Sequence, residues 1–314
     1  MIATHYIDQG YPVGKVLACC SLSSSSYYYR KRSGTPGRKP SRYTQCSDGR
    51  WVTNEQVVNE IKALLKQPFI DYGYIKVTWW LRYNKGYIIN FKKVYRLMRE
   101  HHLLNPVRCK TRFPRNWASW DGPDLQGPLC YWQFDIKYVY VAGQRKNALL
   151  LSVLDVDSRL VLGSTLRWSI CKEQVKELFA EILSRYSLSL PELVTVRSDN
   201  GSQFVAKMVR EFLAEMKLTQ EFTRPAIPQQ NGHVEAWHSI VEHTICQRLE
   251  LNDLPDGQTT MKEFVDFYNN ERIHSGIGYK SPKQYLKEKG IDLYQANDET
   301  KLQCELSKVE YLSS

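Results

Sequence analysis

At Leu129 the chain changes its hydrophobic period, and the pattern beyond it restricts the fold more than any other feature. YWQFDIKYVYV, NALLLSVLDV and RLVLGSTLRW are β-rich runs separated by turn residues, the pattern of an antiparallel meander. KEQVKELFAEILSRYSL then places its apolar residues at helical spacing, and LVTVRS returns to an extended run. SQFVAKMVREFLAEM reads as a helix with Ser202 as its cap, TQEFTR as a fifth strand, and VEAWHSIVEHTICQRLE as a long helix. Three strands followed by helix, strand, helix, strand, helix predict an α/β domain, a five-stranded mixed sheet with flanking helices. A further helix is expected within residues 261–290, and no internal repeat is visible.

Three acids stand at informative places in this pattern. Asp135 interrupts the first strand, Asp199 follows the fourth in VTVRSDNGSQF, and Glu235 heads the last helix after a Pro/Gln/Asn/Gly loop. One spacing matters most: 35 residues lie between Asp199 and Glu235. Taken singly, each has an ordinary explanation. Asp-Asn-Gly forms tight turns, a helical Glu is usually solvated, and a strand Asp can face water. As a set, three carboxylates without a Cys/His ligand group suit hard divalent ions such as magnesium or manganese. Two such ions can activate an attacking oxygen and stabilise a leaving one, which is phosphodiester chemistry. Asp155 and Asp157 are rival acids, but DVDSR reads as a strand-joining turn. There is no phosphate-cradling glycine loop of the nucleotide-hydrolysing kind.

The eight cysteines form no CxxC pair and no zinc-binding spacing, which favours free thiols in a reducing cytoplasm. No charged start followed by a long apolar stretch predicts a leader or a membrane span.

Charge is distributed unevenly. Residues 1–120 hold 21 Lys/Arg against 6 Asp/Glu, and the remainder holds 22 against 27. A basic front joined to a mildly acidic rear suggests that the front holds a polyanion. Residues 30–50 are rich in Gly, Pro, Ser and positive charge and read as a linker behind a basic arm. Thr53 and Gln56 form a capping box before VVNEIKALLK. A second helix is expected over 75–84 with Gly86 as its stop, and a third begins after Asn90 and runs through NFKKVYRLMREHHLL. One face of this third helix is apolar. The other carries Lys92, Lys93, Arg96 and Arg99, the candidate DNA contacts of a helix-turn-helix-like unit. Residues 106–128 are a basic connector in which Trp117 and Trp120 would stack on bases or pin the linker.

YGYIKV, NFKKVYRLMRE, the acids Asp135, Asp199 and Glu235, and the late run YNNERIHSGIGYKSP, in this order, resemble the second-frame transposases of the insertion-sequence three family, relatives of retroviral integrases. The resemblance runs from about Tyr11 to about Tyr285. It implies a ribonuclease H-like integrase catalytic core over 129–290, preceded by an arm and linker (1–50), a small helical DNA-binding domain (51–105) and a connector (106–128), and followed by a tail (291–314). It also implies that Asp135, Asp199 and Glu235 are catalytic and ligate magnesium or manganese, as a pair of ions, for DNA strand cleavage and strand transfer. The implied partners are the element's terminal inverted repeats and target DNA, further copies of the chain on that DNA, and a protein from an upstream reading frame. The implied place is the bacterial cytoplasm, at the nucleoid when DNA is bound. Rival readings are a phage or retroelement integrase, and an inactive transposase-derived DNA-binding protein. One departure stands out: many relatives carry a lysine two helical turns beyond the glutamate, where this chain has Glu242. His238 and His243 are candidates to supply the missing positive charge. Arg272 and His274 of the late run are read as contacts of the site or DNA, or as helix packing.

Overall fold

A computed structural model describes residues 2–29, 40–106, 126–186, 190–224 and 228–293. The chain divides into two compact units, 1–42 and 43–314. The first holds three short helices, α1 (Ile2–Asp8), α2 (Val13–Cys19) and α3 (Ser24–Tyr27), gathered on Ala3, Val16 and Leu17. Ser23 accepts from the Ser26 amide and fixes the start of α3.

The second unit begins with a strand that its composition hides. β1 (Tyr43–Cys46) pairs antiparallel with β2 (Trp51–Thr53), so residues 43–50 are strand and turn rather than linker. Thr53 and Gln56 form the expected capping box at α4 (Asn54–Leu65). Gly86 closes α5 (Tyr74–Lys85) in the left-handed conformation (φ 63°), where a Cβ would be strained. β3 (Tyr87–Ile88) joins the other edge of β1, and Asn90 accepts from the Lys92 amide to start α6 (Phe91–Glu100). α6 is shorter than its apolar stripe suggests: it stops at His101, and the basic connector at 107–125, with Trp117 and Trp120, lies outside the described residues. Val57, Ile61, Val77, Leu81, Val94 and Leu97 form the buried core of this module.

β4 (Tyr131–Val141), β5 (Lys146–Asp155) and β6 (Val161–Arg167) form the expected meander. α7 (Lys172–Tyr186) returns the chain to β7 (Val194–Ser198), which runs parallel to β4, and β8 (Leu218–Phe222) runs parallel to β7. The sheet order is β6-β5-β4-β7-β8. Between β7 and β8 the expected single helix is broken into α8 (Ser202–Val205) and α9 (Lys207–Glu215), because Ala206 is extended (ψ 135°). Gly201 occupies the cap position expected for Ser202. α10 (Gly232–Val241) passes into a π-helical turn, Glu242–Cys246, before α11 (Leu254–Asn270) and α12 (Pro282–Glu288). This is the ribonuclease H-like arrangement.

Alternation on β4 builds two cores. Trp132 and Phe134 pack towards α7, α8 and α9, while Val139 and Val141 pack towards α10 and α11 with Trp237 and Phe264. Burying each such large apolar side chain contributes roughly 1.5–3 kcal/mol. Gly163 lets α7 come close to β6, since a Cβ there would stand 2.8 Å from Ile182. Among the described residues all cysteines are free, and no helix is long and apolar enough to cross a membrane.

Candidate active site

Odd-numbered positions of β4 face α10, so Gln133, Asp135 and Lys137 share one side of the strand. Gln133 organises the local geometry. It is fully buried, its amide nitrogen donates to the Gln230 carbonyl (2.8 Å), and its oxygen accepts from the His233 and Val234 amides (3.0 and 3.2 Å). These are the orphan donors at the head of α10. The helix that carries Glu235 is thereby stitched to the strand that carries Asp135. Sequence reasoning missed Gln133; its signal was an amide inside an apolar strand, two residues before the acid.

Asp199 sits where β7 ends, its carboxylate accepting from the Gly201 amide (2.9 Å). The adjacent Asn200 amide donates to the Thr223 carbonyl (2.9 Å), holding the turn to the end of β8. Arg197 braces the same region from below by pairing with Glu221 (2.8 Å), which also accepts from the Tyr131 hydroxyl (2.8 Å).

The acids of β4, the β7 end and the α10 head come together. Asp135 accepts from the Ile136 amide (2.8 Å). Burial pushes its carboxyl up to about 6, against the pull of that amide, and the negative charges of Asp199 and Glu235 push it further in the same direction. Positive charge is scarce here. His238 Nδ1 lies 3.6 Å from Asp135, but burial and then the Lys137 charge lower the imidazole to about 4, so it is neutral near pH 7. His238 therefore does not supply the missing cation. Lys137 is itself bound to Glu242 (2.8 Å), whose carboxyl is held below its usual value by that hydrogen bond. His243 turns to Gln247 (3.1 Å). Glu242 opens the π turn, where the Gln247 amide bonds the Glu242 carbonyl (3.0 Å).

The rival acid Asp155 belongs to the turn, as its sequence suggested. It is fully buried and accepts from the Leu129 amide (3.0 Å), the Ser158 amide (2.8 Å) and the Ser158 hydroxyl (2.5 Å). Among the described residues no group of three or more His, Cys, Asp or Glu side chains is placed so that it could hold a metal ion. The three acids are separate oxygen donors, with Asp199 and Glu235 near enough to Asp135 to raise its carboxyl. That donor chemistry fits hard divalent ions.

The candidate DNA face is more divided than its sequence indicated. Lys92 and Arg99 are exposed on α6, whereas Lys93 donates to the Tyr43 carbonyl (2.7 Å) and Thr44 hydroxyl (2.8 Å), and Arg96 lies 3.4 Å from Glu100. Lys93 thus ties α6 to β1. Neither Arg272 nor His274 is a member of the acid cluster: Arg272 pairs with Asp71 of the front module and is 2% exposed, and the His274 ring packs against Tyr268 (4.6 Å between centroids).

Comparison with known proteins agrees with this architecture. Models of the integrase core domain match residues 126–228 and 216–282, and a model of an HTH-like domain matches residues 53–111. The transposase for insertion sequence element IS904 of Lactococcus lactis is 25% identical over 250 residues, covering 75% of this chain and 95% of that protein. Transposase InsD of Escherichia coli is 25% identical over 305 residues, covering 91% and 94%. The chain belongs to the integrase-core transposases of insertion sequences. It is a polynucleotidyl transferase whose partner is DNA, and enzymes with this core generally use divalent metal ions. Among solved structures, a simian T-cell lymphotropic virus intasome aligns over 72% of this transposase and 75% of that chain, at 14% identity and a TM-score of 0.44. The HTLV-2 integrase catalytic core domain in complex with magnesium aligns over 50% and 96%, at 17% identity and a TM-score of 0.39.

Proposed function

We propose that Asp135, Asp199 and Glu235 are the catalytic acids of this transposase and hold a pair of magnesium or manganese ions at the element end. The observation that carries this reading is the charge balance. Three acids from separate elements converge, Asp135 is driven to about 6, and the nearby cation Lys137 is engaged by Glu242. Bound divalent ions would supply the Lewis acidity that eases ionisation of an attacking water or 3′-hydroxyl and release of the leaving oxygen. The chain's own residues position that chemistry. Gln133 fixes Glu235 relative to Asp135, the Gly201 amide orients Asp199, and the Ile136 amide orients Asp135. In cutting, a water oxygen bonds to phosphorus as the bridging P–O3′ bond breaks, and the released 3′-oxygen takes up a proton to leave a 3′-hydroxyl and a 5′-phosphate. Joining replaces one phosphodiester with another, the 3′-oxygen forming a bond to phosphorus as the old bridging bond breaks, so no nucleotide hydrolysis is required.

The front module, with Lys92 and Arg99 outermost on α6, holds the terminal repeat, and the protein works as several copies on its DNA. A partner from an upstream reading frame and a place at the nucleoid belong to the same reading.

Asp135→Asn, Asp199→Asn and Glu235→Gln keep shape while removing charge. Each is expected to lower strand cutting and joining by about 1,000-fold or more, the scale of losing a major electrostatic group, with affinity for terminal DNA retained. Near-wild-type turnover in any of them removes that residue from the site. Neutralising Lys92 and Arg99 together is expected to reduce the salt slope of DNA binding by about two. An unchanged slope would place the DNA on another face.

A further inference from the structure

The seam between the front module and the catalytic core is built from directional, buried contacts. Asp71, in the loop joining α4 to α5, faces Arg272 just beyond α11: Nη1 lies 2.8 Å from Oδ1, and Nη2 donates to Oδ2 at 3.0 Å. Burial opposes the charge on Asp71, but the guanidinium outweighs it and holds the carboxyl below its ordinary value. Next to this fork, the Tyr72 hydroxyl accepts from the Ile273 amide (3.1 Å), and Arg248 donates to the Ile70 carbonyl (2.8 Å). The Phe69 ring meets Phe264 (5.2 Å between centroids), and Trp79 stacks on Tyr279 (5.0 Å, 15°). Ile273, which follows α11, is buried in the core of the front module.

We propose that the Asp71–Arg272 clasp fixes the displacement between the front module and the acid triad, so that the protein sets the distance along DNA from the sequence it holds to the bond it cuts. Asp71 and Arg272 are then positioning residues. An apolar contact alone would hold the halves together with less control of angle, whereas a guanidinium–carboxylate pair with one aligned hydrogen bond and a second close N···O approach adds a directional constraint. The inference rests on the proposal that the front module holds the terminal repeat.

The test uses the full chain and a labelled duplex carrying the element's own terminal repeat, with and without a few base pairs inserted between the cut end and the rest of the repeat. The unaltered protein is expected to cut at one position and to lose about 100-fold in joined product when the insertion displaces the bond. Asp71→Asn/Arg272→Met is expected to bind the normal duplex as well as the parent, to cut at several neighbouring positions, and to tolerate the insertion. Tyr279→Ala opens the seam from its more exposed side and should shift the profile the same way to a smaller extent; it decides the matter if the double variant does not fold. A single cut position and the parent's insertion profile in a folded variant would overturn the proposal, as would an unaltered protein indifferent to the insertion. Lys92→Ala/Arg99→Ala on the same duplexes separates the two readings. Unchanged affinity would remove α6 as the DNA face, while the insertion profile still decides the clasp.

Discussion

The acid triad and the Asp71–Arg272 clasp are two charge clusters with opposite charge balances: the clasp is largely buried, whereas in the triad only Asp135 is partly buried and Asp199 and Glu235 are exposed. In the clasp, a carboxylate and a guanidinium meet at two points, and the buried charge is balanced inside the chain. In the triad, Asp135 is pushed up to about 6, first by its own burial and then by the negative charges of Asp199 and Glu235. One cluster carries its own counter-charge. The other, in the reading proposed above, would gain one from bound metal ions. The contrast separates charge used for architecture from charge held ready for chemistry.

The contrast breaks most visibly if the clasp is cut on one side. Arg272→Ala leaves Asp71 without its partner in a buried seam and is expected to destabilise the protein by about 3–5 kcal/mol, whereas Asp71→Asn/Arg272→Met removes both charges and should cost much less. Urea unfolding of both variants checks this. Equal losses would mean that packing, not charge, holds the seam.

Asp135→Asn should move stability the other way. A carboxyl raised in the folded state takes up protons more readily than in the unfolded chain, so its contribution is present at low pH and lost as pH rises from about 4 through about 6. At pH 8 and without divalent metal, the neutral amide should therefore be more stable by on the order of 2 kcal/mol. Added magnesium should stabilise the parent and have little effect on the variant. A less stable variant in metal-free buffer would show that the triad is already compensated.

A smaller effect is expected at the triad's edge. Glu242→Gln releases Lys137 from its 2.8 Å partner and removes a negative charge near the DNA path. Affinity for terminal DNA should rise by on the order of 1 kcal/mol at low salt and return to the parent value at high salt, as for partly exposed charge contacts. No rise at low salt would indicate that the pair faces away from DNA.

Much of this was legible in the sequence because the signals were local. The meander, the capping box at Thr53, the stop at Gly86 and the cap at Asn90 each depend on a few adjacent residues. The turn role of Asp155 was also readable from DVDSR. Long-range features were not. β1 lies in a Gly/Pro/Arg-rich stretch whose composition suggests a linker, and it becomes a strand through pairing with β2 and β3. Lys93 had the pattern of an outward-facing cation, yet its ammonium reaches across 49 positions to Thr44. Ala206 carries no breaking signal, so the interruption between α8 and α9 was invisible. Gln133, Asp71 and Arg272 have roles defined by partners 97 to 201 positions away, which no periodicity reveals.

Metal rescue puts the acid triad to its sharpest test. Asp135→Cys, Asp199→Cys and Glu235→Cys each replace a hard oxygen ligand with a softer thiolate. Each variant is expected to fail in joining labelled terminal DNA with magnesium and to regain measurable joining with the softer manganese ion. Magnesium-supported joining at the parent's level in any of these variants would contradict metal ligation by the triad.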